Sequence, residues 1–133
     1  MRAPGLALAA AAVLAAEGAA LVVFALIELM GIGAGDAASV PTAVALMVLT
    51  LIGAAALFAF AWGARAGRSW ARSGGVVFQI LAVVIALASL TLQPIPWAFV
   101  LGAGLPGLLG FVLLIASTRR EAELRENDGP AGD

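Results

Sequence analysis

Apolar residues run almost unbroken through four stretches, 5–31, 40–64, 74–92 and 97–116, and polar residues collect between and after them. Each stretch approaches or exceeds the roughly 20 apolar residues that a helix needs to cross about 30 Å of hydrocarbon. The pattern predicts an all-α fold, a four-helix transmembrane bundle over residues 1–118, with a charged, partly disordered tail over 119–133. Local signals set the boundaries. Gly31, Gly33 and Gly35 release the backbone after the first span, Pro41 suits the first turn of the second, and Ser39 is placed to cap it. The run Gln93-Pro94-Ile95-Pro96-Trp97 stops the third span, because two proline rings restrict the backbone. Residues 65–73 read as a middle loop, and Asn127 to Asp133 as a loose end.

Composition agrees with this pattern. Hydrophobic residues make up 63% of the chain and charged residues 11%, against about 45–50% and about 25% in an ordinary soluble domain. In 133 residues, four spans leave no room for a separate catalytic domain. Cysteine and histidine are both missing, which excludes thiolate chemistry and removes the usual metal ligand and proton shuttle. An Arg2-led, alanine-rich beginning resembles a cleavable leader, but a leader's apolar region is about 7–15 residues long. Here apolarity resumes after Glu17 and continues through Leu21, Phe24 and Ile27, so the stretch reads as a retained span.

Charge supplies the orientation. All 7 basic residues are arginine: Arg2 before the first span, Arg65, Arg68 and Arg72 in the middle loop, and Arg119, Arg120 and Arg125 after the fourth span. The other two connections carry none. The positive-inside rule then predicts a multi-pass protein of the bacterial inner membrane with both termini and the middle loop cytoplasmic, N-in/C-in. Trp97 suits the outer aromatic belt, and Trp62 and Trp70 the inner one. Arg65, Arg68, Trp70, Arg72, Arg119 and Arg120 are candidates either to hold anionic lipid headgroups or only to anchor the topology.

Chemistry within the spans is sparse. Glu17 and Glu28 lie eleven residues apart on one face of the first span, about 16 Å along its axis. Glu17 falls in the hydrocarbon and Glu28 near the outer headgroups. An acid at such depth costs a few kcal/mol unless neutral, paired or facing water, and marks a functional-site candidate. No basic residue lies in any span to pair with it. The other polar groups are Thr50, Gln79, Ser89 and Thr91. Glu17 or Gln79, or both, are expected to point into the bundle and hydrogen bond across helices, as glue of about 1 kcal/mol or as part of a proton path. Small residues offer close approach: Ala7, Ala11, Ala15 and Ala19 form a stripe on span one, and Gly102, Gly104, Gly107 and Gly110 surround Pro106 in span four.

No phosphate-cradling loop, metal cluster or nucleophile beside a base is present, so the expectation is a non-enzymatic protein without metal or cofactor. Gly31-x-Gly33-x-Gly35 stands outside any strand-turn-helix context, and a net charge of -1 gives no basis for nucleic-acid binding. Expected partners are membrane lipid and either a second copy of the chain or another membrane protein.

Glu17 and Glu28 in an alanine- and leucine-rich first span, then Gly67-Arg68-Ser69-Trp70-Ala71-Arg72, Gln79-Ile80-Leu81 and Ser117-Thr118-Arg119, together resemble uncharacterised small four-span integral membrane proteins of actinobacteria. The resemblance implies the topology and lends no mechanism. The small multidrug resistance transporters are likewise short four-span chains with an embedded glutamate in span one. This chain departs from them in having no tyrosine and no tryptophan in its third span. A structural or interaction component of the membrane is therefore the first expectation, and a small proton-coupled transporter using Glu17 the alternative.

Overall fold

The computed structural model describes residues 4–129; Arg2 and the last four residues of the predicted tail lie outside them. Four helices carry the chain: α1 (Pro4–Ala34), α2 (Val40–Arg65), α3 (Ser69–Ala88) and α4 (Trp97–Asn127), with a 3-10 turn at Ser89–Thr91. No strand occurs among the described residues. All four helices are long and apolar enough to cross a membrane. They form an antiparallel ring in which α1 packs on α2, α3 on α4, and the seams α1–α4 and α2–α3 close the bundle. The two hairpins hold the most extensive interfaces.

The bundle turns its apolar surface outward, as expected where the solvent is hydrocarbon and not water. Phe24, Met30, Leu49, Ile52, Val77 and Leu105 are all exposed, whereas the interior uses small residues. Leu14, Leu57 and Leu114 are fully buried and pack with Ala10, Ala11, Ala61 and Ala64 in one cluster toward the end that carries Arg65 and Arg72, called here the basic end. Only part of the predicted alanine stripe is inside. Ala11 is buried while Ala19 is exposed, because a spacing of four drifts about 40° per repeat around a helix of 3.6 residues per turn. Gly18 takes the interior position instead and faces the Phe58 ring.

Several boundaries differ from the sequence expectation. Of the three glycines after span one, only Gly35 leaves the helix, with φ 81°; Gly31 and Gly33 stay within α1. Asp36 N donates to Gly31 O at 3.0 Å and Gly35 N to Ile32 O at 3.2 Å, the paired bonds by which a left-handed glycine closes a helix. Ser39 precedes α2 but makes no capping bond to backbone; its hydroxyl pairs with the Thr42 hydroxyl at 3.0 Å. The middle connection shrinks from residues 65–73 to Ala66–Arg68. Gly67, φ 71°, stops α2 with the same bond pair, Arg68 N to Gly63 O and Gly67 N to Ala64 O. Trp70 and Arg72 therefore sit in the first turn of α3. Gly74 and Gly75, at the start of the expected third span, lie inside α3 and face the Phe60 ring and Leu114 side chain at close range. At the far end, α4 runs to Asn127, past the predicted span end at 116, so residues 119–126 of the charged tail are helical.

Candidate functional site

The polar residues of the interior gather at two levels. The deeper level joins α1, α3 and α4. Gln79 is completely buried, and its Nε2 donates to Glu17 Oε2 at 2.6 Å across the bundle. The amide reaches α1 because α4 offers a notch. A Cβ at Gly110 would lie 2.6 Å from Gln79 Nε2 and 2.8 Å from its Cδ, and one at Gly107 would lie 3.4 Å from Oε1. Any side chain at position 110 would occupy the space of the amide. The expected acid–amide contact is thus present, and the glycines around Pro106 act as its seat. Pro106 itself lies within continuous helix.

The bond leaves two acceptors over. Glu17 Oε1 and Gln79 Oε1 are buried and have no hydrogen-bond partner among the described residues. A carboxylate only accepts hydrogen bonds, whereas the neutral acid also donates one.

Glu17 is half-buried because its other side meets a lateral groove of about 770 Å³ between α1 and α4. Val13, Leu21, Phe24, Phe78, Phe99 and Leu109 give it apolar walls, and Glu28 lines it as well. Glu28 Oε2 is buried without a partner among the described residues. Thr50 reaches the groove, but its hydroxyl is held by Leu46 O at 2.9 Å. Ser89 and Thr91 bond to their own helical carbonyls, Ile85 O and Ala88 O, and take no part in the polar pair.

The second level is at the basic end. Arg72 Nη1 donates to Glu121 Oε2 in an ion pair between α3 and α4, with the two side chains only 14% and 10% exposed. Arg72 is thus engaged inside the bundle, whereas Arg65, Arg68, Arg119 and Arg120 are exposed at the same end. Trp70 is half-exposed and tilts against the Phe60 ring, centroids 6.1 Å apart. Sequence reasoning missed Glu121. It lies 49 residues from Arg72, so no local spacing links them; the available signal was opposite charge at equivalent depths of two antiparallel spans.

No protein family, curated protein or solved structure matches the chain. The four apolar helices define the class as a multi-pass integral membrane protein of four-helix bundle architecture.

The glycine seat makes a direct prediction. Gly110→Ala is expected to displace the Gln79 amide and break its bond to Glu17, lowering stability by about 1–3 kcal/mol in the manner of an overpacked core. Gln79→Leu, costly by about 1 kcal/mol in the unaltered protein, would then cost little more in the Gly110→Ala background. Unfolding of both single variants and the double variant in mixed micelles measures this, and additive losses would contradict it.

Proposed function

We propose that the protein is a non-enzymatic structural or interaction component of the bacterial inner membrane, with both termini and the Ala66–Arg68 link cytoplasmic, as the positive-inside rule predicts. The observation that carries this is the use of the interior polar groups. Glu17 and Gln79 tie α1 to α3, and Arg72 and Glu121 tie α3 to α4, so each pair serves packing, and neither is arranged around a reacting atom. Exposed Arg65, Arg68, Arg119 and Arg120 then face anionic headgroups, each adding about 1 kcal/mol of attraction near such a surface. Extraction in mild detergent is expected to recover the chain as a homo-oligomer or with a second membrane protein. A strictly monomeric, unaccompanied particle would reject the interaction role.

A second function, proton-coupled transport, is favoured by one feature, the exposure of Glu17 to the groove. It predicts that reconstituted protein moves a cation against a proton gradient, and that Glu17→Gln abolishes the flux while the folded protein stays abundant. Absence of flux in the unaltered protein under every gradient applied would eliminate it.

A further inference from the structure

The basic end holds a second cavity, of about 330 Å³, on which neither function above depends. That volume falls within the roughly 300–1,000 Å³ of small-molecule sites. Pro4, Ala7 and Leu8 line it from α1, while Arg65 of α2 and Glu121 of α4 bring opposite charges to the same space. The two do not pair with each other. Arg65 makes no hydrogen bond or ion pair among the described residues, and Glu121 uses one oxygen only: its Oε2 holds Arg72, whereas Oε1 has no partner among the described residues. Unlike the enclosed oxygens of Glu17, Glu28 and Gln79, this one is accessible. The cavity also meets lipid, because Leu8 is 55% exposed on the outward surface of α1.

These facts narrow the occupant. An unpaired guanidinium and a half-used carboxylate on one cavity call for a ligand that carries both charges, and a lipid-facing mouth calls for an acyl tail. We propose that the cavity binds the head of phosphatidylethanolamine, its ammonium at Glu121 Oε1 and its phosphate at Arg65. Charges then alternate through Arg72, Glu121, ammonium, phosphate and Arg65. Phosphatidylglycerol has no ammonium, so its phosphate would stand beside the carboxylate with nothing between them. Phosphatidylcholine has the positive charge, but its trimethylated nitrogen has no hydrogen to donate and forgoes the charge-assisted N–H···O bond, about twice as strong as a neutral one. Free phosphoethanolamine reaches the same groups and gains nothing from the Leu8 side. The inference rests on the reading of the basic end as lipid-facing, and adds to it a choice of head.

The test places the full chain in nanodiscs of equal phosphatidylethanolamine, phosphatidylcholine and phosphatidylglycerol with identical acyl chains, and counts the lipids retained per chain by native mass spectrometry. One phosphatidylethanolamine is expected per chain, preferred about tenfold over each of the other two, as loss of a hydrogen bond to a charged group implies. Dimethylated phosphatidylethanolamine keeps one N–H and should stay nearer the parent lipid than phosphatidylcholine does. Glu121→Gln should erase the preference over phosphatidylcholine. If that variant fails to fold without its charge opposite Arg72, Arg65→Gln and the cavity-filling Ala7→Leu decide, each lowering phosphatidylethanolamine retention about tenfold. Arg68→Gln and Arg119→Gln lie off the cavity and report the general attraction of the exposed arginines, so they should lower phosphatidylglycerol alone. Free phosphoethanolamine at the lipid's concentration should displace nothing. Equal retention of the three lipids, a phosphatidylethanolamine preference intact in Arg65→Gln or Ala7→Leu or lost in Arg68→Gln, or displacement by the free head overturns the inference.

Discussion

Replacing Arg72 with alanine is expected to destabilise the bundle by about 3 kcal/mol or more, the cost of breaking a buried ion pair by removing one partner. Glu121 is the reason. Its side chain is 10% exposed and its Oε2 is held by Arg72, so the truncation leaves a carboxylate inside the packing of α3 and α4 with its charge uncompensated. The same change should loosen the part of α4 beyond Ser117, which carries Arg119, Arg120 and Arg125 on its surface. Limited trypsin digestion would then cut there faster than in the unaltered protein. Replacing both residues by leucine should recover most of the loss, because a well-packed apolar pair often equals a buried ion pair in stability. Unfolding in mixed micelles, read beside the digestion, checks both parts. An Arg72→Ala protein with unchanged stability and unchanged cleavage would show that the pair contributes nothing.

The next largest effect is expected at the α2–α3 link. Gly63→Ala should cost about 2–3 kcal/mol, near the top of the range for overpacked sites. A Cβ at Gly63 would run into the Ala71 Cβ, which has no flexible end to swing away, and would meet the Trp70 ring at 3.2 Å. Gly63 O also accepts the Arg68 N–H that closes α2. Relief therefore requires moving backbone at the tightest turn of the molecule. Ala71→Gly combined with Gly63→Ala should restore stability by returning the missing space. Gly31→Ala and Gly33→Ala provide the contrast: both positions are helical with nothing within 4 Å of an added Cβ. They should be neutral or more stable by up to about 1 kcal/mol, from the helix propensity of alanine over glycine. Thermal unfolding of the four variants side by side tests the ranking, and an inverted order would refute the close approach at Gly63.

The spans were legible in the sequence because a membrane helix announces itself by length and apolarity, and no competing pattern interrupts residues 5–31 or 40–64. Their ends were less so. Gly31, Gly33, Gly74 and Gly75 carry the same local signal as Gly35 and Gly67, yet only the last two adopt positive φ. Whether a glycine breaks a helix or seats a neighbour is decided by what packs on it, and that is tertiary information. Glu17 and Gln79 could be proposed as partners because few polar residues lie at membrane depth. The same reasoning failed for Arg72, which the positive-inside rule explains completely without Glu121. Apolar composition could not reveal the groove either. It exists because Ala16, Ala20, Ala98 and Gly102 leave space between α1 and α4, and small residues serve equally to close a gap or to leave one.

The bond between Glu17 and Gln79 also dictates an order of assembly. The two residues are 62 positions apart, so at about 5–20 residues per second the ribosome delivers the amide some 3–12 s after the acid. The nascent first helix must hold its carboxyl at bilayer depth for that interval, with only Phe58 and its apolar neighbours on α2 arriving to shelter it. Biogenesis would then stall or divert chains whose third helix comes late, and a lengthened α2–α3 link would show this as slower maturation with no change in the finished fold.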